Sequence, residues 1–335
     1  MRPGRTRFNR YLLETETLLQ QAFKAVNPAL WLYQNNARTS FFMLEALAKL
    51  HRGLHNPKKF DKIKEHCKLL EDGIGAIDYY DNAAKDLQQV AGMPEFVIAY
   101  IQAQTREKVQ RLNDILTENK WTGEDARRLS KIREKLDEAE WMKAEKEIAG
   151  IRSFYEESIR EIISFMPDRF TEMESQVHEM RRKLRWLSIY PQALQGAIQF
   201  SDNGETDPLT VPYLTTEIVE SPFNRLPPPA QNPYILRFEK KYFLCLSWMI
   251  AELGRIKDEG LTIMATAEAL AQIARMKHHD AVKEACRLLN KDQHCLDQLL
   301  DKATIICQQF FREKHFNKLI LDIFPNPAVR ETEAI

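Results

Sequence analysis

No Gly-rich phosphate loop follows a candidate strand in this sequence, and no stretch alternates apolar and polar residues over a useful length. Nucleotide-binding α/β folds, which need both features, are therefore not expected. No apolar run approaches the length of a membrane span. The basic start, Met1–Arg10, leads into the mixed stretch Tyr11–Gln21 without an apolar segment or a cleavage signal. The expectation is a cytoplasmic chain with no membrane contact. Excess charge is also missing: 48 Lys and Arg balance 48 Asp and Glu. The molecule as a whole draws neither nucleic acid nor anionic lipid, and without a known reading motif no sequence-specific nucleic-acid binding is expected. Any anion site must be assembled locally.

Cysteines are few. Cys67, Cys245, Cys286, Cys295 and Cys307 lack the short pairings of a zinc ribbon or redox motif, so five buried free thiols are expected. There is no Gly-x-Ser-x-Gly elbow and no Cys–His active-site motif. His51 and His55 stand one helical turn apart, but His51-Arg52-Gly53-Leu54-His55 has no Glu after the first histidine, and its neighbours are cationic. His278-His279-Asp280 is better read as a helix start capped by Asp280 than as part of a metal phosphohydrolase. No metal, cofactor or catalytic group is nominated, so the chain is read as a non-enzyme.

What the sequence does have is helical periodicity. Hydrophobic residues make up 44% of 335 positions, enough for a continuous core. Apolar residues recur every three or four positions over Tyr11–Ala25, Pro28–Arg52 and Pro94–Thr117. They recur again over Ile148–Met166, Arg169–Leu187 and Ile235–Glu259, and from Ala265 to Arg275, Asp280 to Leu289 and Asp292 to Phe316. Between Lys58 and Val90, Gly73 and Gly75 mark either a bend or a close approach. Thr122–Glu147 is charge-rich with a narrow apolar seam, which suits a solvated face or a partner-binding hairpin. Asn56-Pro57 and Gly92-Met93-Pro94 are breaks, and Tyr190-Pro191 should end the helix before it.

From Ser201 to Pro233 the sequence carries seven prolines together with Asn203-Gly204, which excludes a long helix. This arm is either disordered or laid across the surface, with Pro227–Pro229 as a polyproline II alternative. The expected class is all-α: two packed bundles, residues 1–168 with charged helix 122–147, and residues 169–325 with proline-rich loop 201–233. A flexible tail, 326–335, follows.

One helical face stands out. His178, Arg181, Arg182 and Arg185 fall at spacings of three, four and seven, opposite apolar Val177, Met180, Leu184 and Leu187. Guanidinium groups so crowded repel one another unless acids or a bound anion offset them, and planar Arg forks suit phosphate oxygens. The alternative is a salt-bridged face with Arg237 and Lys240 opposite acidic helices. A second basic cluster comprises Arg38, Lys49, Arg52, Lys58, Lys59, Lys62, Lys64 and Lys68.

His178-x-x-Arg181-x-x-x-Arg185, with the later Leu253-Gly254-Arg255-Ile256-Lys257-Asp258, resembles the two motifs of the conserved-histidine α-helical domain (CHAD) family. Gly254, Lys257 and Asp258 fall on the second motif, Lys257 in place of its arginine. An imperfect first copy spans Asn35–Leu44 and Leu69–Tyr79: Arg38 matches a motif arginine, Asn35 stands for the histidine, Phe42 for the next arginine, and Gly75-Ala76-Ile77-Asp78 is one residue short. The resemblance covers roughly residues 10–320. It implies two pseudo-repeated helical bundles around a basic groove that binds inorganic polyphosphate or another phosphate-rich anion without turnover, in association with polyphosphate granules. The expected anion-binding residues are His178, Arg181, Arg182 and Arg185, with Arg38, Lys64, Lys68, Arg237, Lys241 and Lys257 as second-face donors. A protein-interaction scaffold, using the charged helix or the proline-rich arm, is the second reading. A metal-dependent phosphohydrolase is the third.

Overall fold

A computed structural model describes residues 2–124, 126–202, 204–229 and 232–326. Asn203 of the expected Asn203-Gly204 turn, and residues 327–335 of the expected tail, lie outside the described residues. The chain is mostly helical, and its helices gather into two helix-rich regions. In chain order the helices are α1 (Pro3–Phe23), α2 (Pro28–Gln34), α3 (Arg38–Leu54), α4 (Pro57–Gln88), α5 (Glu95–Glu118), α6 (Arg128–Asp137), α7 (Ala144–Phe165), α8 (Glu179–Ala193), α9 (Thr216–Glu220), α10 (Lys240–Ile273), α11 (His278–Leu288) and α12 (Cys295–Arg312).

Local chemistry explains most of the boundaries. Asn27 caps α2 by accepting the Leu30 amide at 3.0 Å. Asn36, with φ at 53°, separates α2 from α3, so the single helix expected over Pro28–Arg52 is two. In contrast, α4 runs unbroken through Gly73 and Gly75. Those glycines admit close neighbours: a Cβ on Gly73 would stand 2.8 Å from Leu112 of α5, and one on Gly75 would stand 2.5 Å from Arg38 Nη2 of α3. The charged stretch Thr122–Glu147 divides between α6 and α7, with buried Ala139 in the break between them. A π-helical turn, Met173–His178, leads into α8, which continues past Tyr190-Pro191 to Ala193.

The strictly all-α expectation is corrected by a three-stranded sheet of order β1-β2-β3. Strand β1 (Ile198–Ser201) pairs parallel with β2 (Tyr234–Glu239), which pairs antiparallel with β3 (Ile320–Pro325). Strand β2 buries Ile235, Leu236, Phe238 and Glu239 and passes directly into α10 at Lys240. With both of its faces covered, its sequence lacks the alternation of a half-exposed strand. The sheet joins the helices through aromatic contacts: Phe238 meets Tyr155 of α7 at 5.0 Å and 87°, and Tyr155 meets Tyr190 of α8 at 5.8 Å. Tyr155 also donates to the Leu187 carbonyl at 3.2 Å.

The proline-rich arm is laid on the molecule. Gln199 donates to the Pro227 carbonyl at 2.7 Å, and Asn326 donates to that of Pro229 at 2.8 Å. Gly196 has φ at 84°, and a Cβ there would stand 2.0 Å from the Pro228 oxygen, so only glycine fits beneath the returning arm. At the other end of the arm, Tyr213 donates to Glu313 at 2.5 Å, while Tyr242 and Lys318 both donate to Asp207, at 2.8 and 2.9 Å.

Cys286 and Cys295 form a disulfide, with Cα atoms 6.5 Å apart. This corrects the expectation of five free thiols: the turn from α11 to α12 folds the two residues together, whereas Cys67, Cys245 and Cys307 remain buried and free. No helix among the described residues is long and apolar enough to cross a membrane.

Candidate functional site

Helix α8 packs against α3 on one side and α10 on the other. Its apolar face, Val177, Met180, Leu184 and Leu187, is fully buried, as the sequence spacing predicts. This turns Arg181 and Arg185 into the seams on either side. Arg181 Nε donates to the Ile250 carbonyl of α10 at 3.2 Å, and its guanidinium lies across Gly254, whose hypothetical Cβ would be 3.1 Å from Nε.

The same device occurs in the first half, where Arg38 of α3 lies across Gly75 of α4. Arg38 is anchored by acids: Nη2 meets Glu71 at 2.6 Å, and Nη1 meets Asp78 at 3.4 Å. Asp258 takes the place of Asp78 in the second half. It favours the charged form of Arg181, but its near partner is Lys257 at 2.5 Å. The two arginines are thus held alike on helical glycines. They differ in how fully they are neutralised.

Phe42, which stands where the motif would carry a further arginine, is a plate between two cations. Arg38 lies 5.2 Å from its ring centroid and Arg185 lies 4.8 Å away. Trp186 meets the same ring edge-on at 5.7 Å and carries Lys49 of α3 over its own ring at 4.7 Å. Arg38, Phe42, Glu45 and Lys49 form one stripe of α3, at spacings of four, three and four, facing α8.

Arg181, Arg185 and Lys49 are half-buried, and none has a carboxylate within ion-pair distance among the described residues. Their electrostatics register the crowding. Burial, then Arg181 and Arg38, push Arg185 down to about 10. Burial lowers Arg181 also, with Arg38 adding to the fall. Lys49 drops to about 8, chiefly by burial and then, against the pull of Glu45, by Arg182 and Lys183. Glu45 beside it is buried, its Oε2 has no hydrogen-bond partner, and burial with Glu71 raises its carboxyl to about 7. Burial raises Glu71 too, despite Arg38.

The remaining expected residues are placed differently. His178 bonds Glu174 through Nδ1 at 2.9 Å, and Arg182, exposed, donates to Glu179 at 2.7 Å. Lys64 pairs with Asp61 at 3.1 Å and Lys68 with Asp72 at 2.5 Å. Lys257 sits one turn beyond Gly254, at the edge of the cluster. Arg237 lies on β2 over the Phe324 ring at 4.0 Å. Lys241 meets Glu239 at 3.8 Å and the Glu205 carbonyl at 2.8 Å. Lys241 and Lys257 lie on one helix about 24 Å apart along its axis, so the structure does not bring Arg237 and Lys241 to the Arg181 cluster. Asn35 donates to the Trp31 carbonyl at 2.9 Å, outside α3.

Lys49 and Glu45 are candidate site residues that motif matching misses. Lys49 belongs to the basic cluster readable in sequence, but only the fold sets it over Trp186. A separate buried polar chain links α1, α3 and α7. Arg7 pairs with Glu147 at 3.0 Å and donates to Asn232 at 2.6 Å, and His51 Nδ1 meets His55 Nε2 at 3.1 Å. Glu147 Oε1, the oxygen that pairs with Arg7, lies 3.5 Å from His51 Nε2, and that nitrogen makes no hydrogen bond among the described residues. Burial, His55 and Arg7 hold His51 far below its usual range, so the imidazole is neutral. Phe8, Phe60 and Trp141 enclose it. Among the described residues no three His, Cys, Asp or Glu side chains gather as a metal site. No known family model, curated protein or solved structure matches this chain.

Proposed function

We propose that the protein binds inorganic polyphosphate or a similar phosphate-rich anion, without turnover, at the seam where α8 meets α3 and α10. The observation that carries this reading is the crowding of Arg181 and Arg185, half-buried cations with no acid partner among the described residues, with Lys49, likewise unpaired, linked to Arg185 through the Trp186 and Phe42 rings, while Arg182, Lys257, Lys64 and Lys68 are paired. Leaving such charges uncompensated costs folding energy, which a bound anion repays. Arg181 and Arg185 supply planar forks for phosphate oxygens, Lys49 supplies a point charge, and Arg38 extends the row toward α4. His178, Arg182 and Lys257 line its edge, each exchanging its present carboxylate for a phosphate oxygen.

The twin placement of Arg38 on Gly75 and Arg181 on Gly254 supports kinship with the CHAD family, with a first copy in which Phe42 replaces an arginine. On this reading the protein works in the cytoplasm, in association with polyphosphate granules. The Cys286–Cys295 disulfide runs against that placement, because such bonds persist mainly in oxidising compartments.

The test is calorimetric titration of the full chain with tripolyphosphate at several salt concentrations. Affinity that falls steeply with salt, and falls at least tenfold in the Arg181→Gln/Arg185→Gln variant, supports the site. Unchanged affinity in that variant removes it. A protein-interaction role is favoured by one observation, the exposed Phe223 on the proline-rich arm, 83% accessible and flanked by exposed Val219. Loss of a co-purifying partner on Phe223→Ser, with tripolyphosphate binding absent, would select it.

A further inference from the structure

A second group of cations remains outside that site. It joins two features of the sequence that the α3–α8 seam leaves unused, the lysine-rich start of α4 and the charged stretch that becomes α6. Arg128, Lys131 and Lys135 lie at spacings of three and seven on α6, so they share one face, while buried Ile132 and Leu136 point inward. Lys62 and His66 stand one turn apart on α4. The two rows meet where Arg128 Nη1 donates to His66 Nε2 at 3.0 Å, with Arg128 Nε held by the Asn119 carbonyl at 2.9 Å.

A donor on Nε2 requires that nitrogen to be unprotonated, so His66 is neutral and the arginine keeps its charge unshared with any acid. Lys62, Arg128, Lys131 and Lys135 make no ion pair among the described residues. Glu138, the acid that acts on Lys135, is engaged by Lys59 at 3.3 Å. The mutual repulsion is marked: His66 is held down at about 4 by burial, Arg128, Lys135 and Lys62, and Lys135 is lowered by burial and by Lys62, Arg128 and Lys131. Lys62 and Lys131 are exposed, and His66, Arg128 and Lys135 are half-buried, so the cluster is open to solvent.

We infer that Lys62, His66, Arg128, Lys131 and Lys135 form a second, separate binding site for a compact multiply charged phosphate, such as a pyrophosphate or tripolyphosphate group. The three α6 cations span about 10 Å along their helix, which fits several charges carried on a few atoms. The planar Arg128 fork and three ammonium groups match phosphoryl oxygens. His66 precedes Gly75 by nine residues on α4, placing it about 14 Å away along the axis and roughly half a turn round. One anion of that size does not reach both sites. Binding also has a signature at a residue outside the Arg181 site: a polyanion among these groups favours imidazolium at His66, and a protonated His66 releases Arg128 to the ligand.

The inference goes beyond the α3–α8 reading and is tested independently of it. The His66 ring resonance, assigned with His66→Gln, is followed through a pH titration of the full chain with and without tripolyphosphate. The expected result is a rise in the His66 midpoint by about one pH unit or more with ligand, retained in Arg181→Gln/Arg185→Gln and lost in Lys62→Gln/Lys131→Gln/Lys135→Gln. A midpoint that tripolyphosphate does not move, or moves equally in the triple variant, overturns the site. Movement by polyglutamate with none by tripolyphosphate overturns the ligand class and points to an acidic protein segment instead.

Discussion

Arg181 lies across Gly254, its Nε 3.1 Å from the point a Cβ would occupy, so one missing methyl group on α10 sets the position of a guanidinium on α8. Arg38 and Gly75 repeat the arrangement, but there Glu71 and Asp78 would hold the arginine even if the glycine changed. The second-half arginine depends more on its glycine.

Gly254→Ala is therefore expected to separate stability from binding. Alanine improves the interior of a helix by about 1 kcal/mol relative to glycine, and the added methyl pushes against the flexible end of Arg181 rather than against backbone. Thermal unfolding should show a midpoint at or above that of wild type, while tripolyphosphate affinity falls about tenfold or more, the size of a lost charge-assisted contact.

Glu45 gives a pH-dependent test of the buried stripe. Its carboxyl is raised to about 7, so the folded state binds the proton more tightly than the unfolded chain does. Stability is lost as pH rises from about 4.5 toward 7 and stays lost above that range. Glu45→Gln should thus match wild type in denaturant melts at pH 4.5 and exceed it by about 3 kcal/mol at pH 8.

His51 acts with the opposite sign. Buried and neutral, it cannot take up the proton that the unfolded chain accepts below its usual value near 6.5, so folding weakens as pH falls through that value. Half-buried His55, lowered chiefly by burial, adds to the effect. Between pH 6.5 and 5 the unfolding free energy of the wild type, from urea melts, should fall more steeply than that of His51→Gln, by up to about 1.4 kcal/mol per pH unit.

The Cys286–Cys295 bond closes a loop with a sequence separation of 9. Constraining an unfolded loop of this length contributes about 2–3 kcal/mol. Reduction should lower the thermal midpoint by several degrees and expose two thiols to alkylation by mass spectrometry. Cys286→Ser/Cys295→Ser should be insensitive to reductant.

Much of the helical scaffold is legible in the sequence because its signals are local. Val177, Met180, Leu184 and Leu187 recur at helical spacing and are buried together, and Asn56-Pro57 falls where α3 gives way to α4. Strand β2 is hidden because Tyr234–Glu239 continues without a turn residue into α10, so five of its six residues, Ile235–Glu239, read as the first turns of a helix. Gly73 and Gly75 leave bend and close approach equally open until Leu112 and Arg38 are seen against them. At the candidate site, arginine spacing shows that Arg181 and Arg185 share a helix face. Whether they meet acids depends on which helices fold against them. The same holds for Lys49, whose place over Trp186 joins residues far apart in the chain.

On the proposed reading, Arg181 and Arg185 are kept unpaired for an anion and not for the fold. Replacing both with methionine preserves much of their apolar stems and removes two crowded charges, Arg185 being the one driven down to about 10 by burial and its arginine neighbours. The decisive measurement is thermal unfolding of wild type and Arg181→Met/Arg185→Met, each with and without saturating tripolyphosphate. The variant alone is expected to melt at or above the wild-type temperature, and tripolyphosphate to stabilise it clearly less than the wild type, the remaining stabilisation coming from the Lys62–Arg128 cluster. A variant that melts well below wild type, or is stabilised by ligand to the same extent, would contradict that reading.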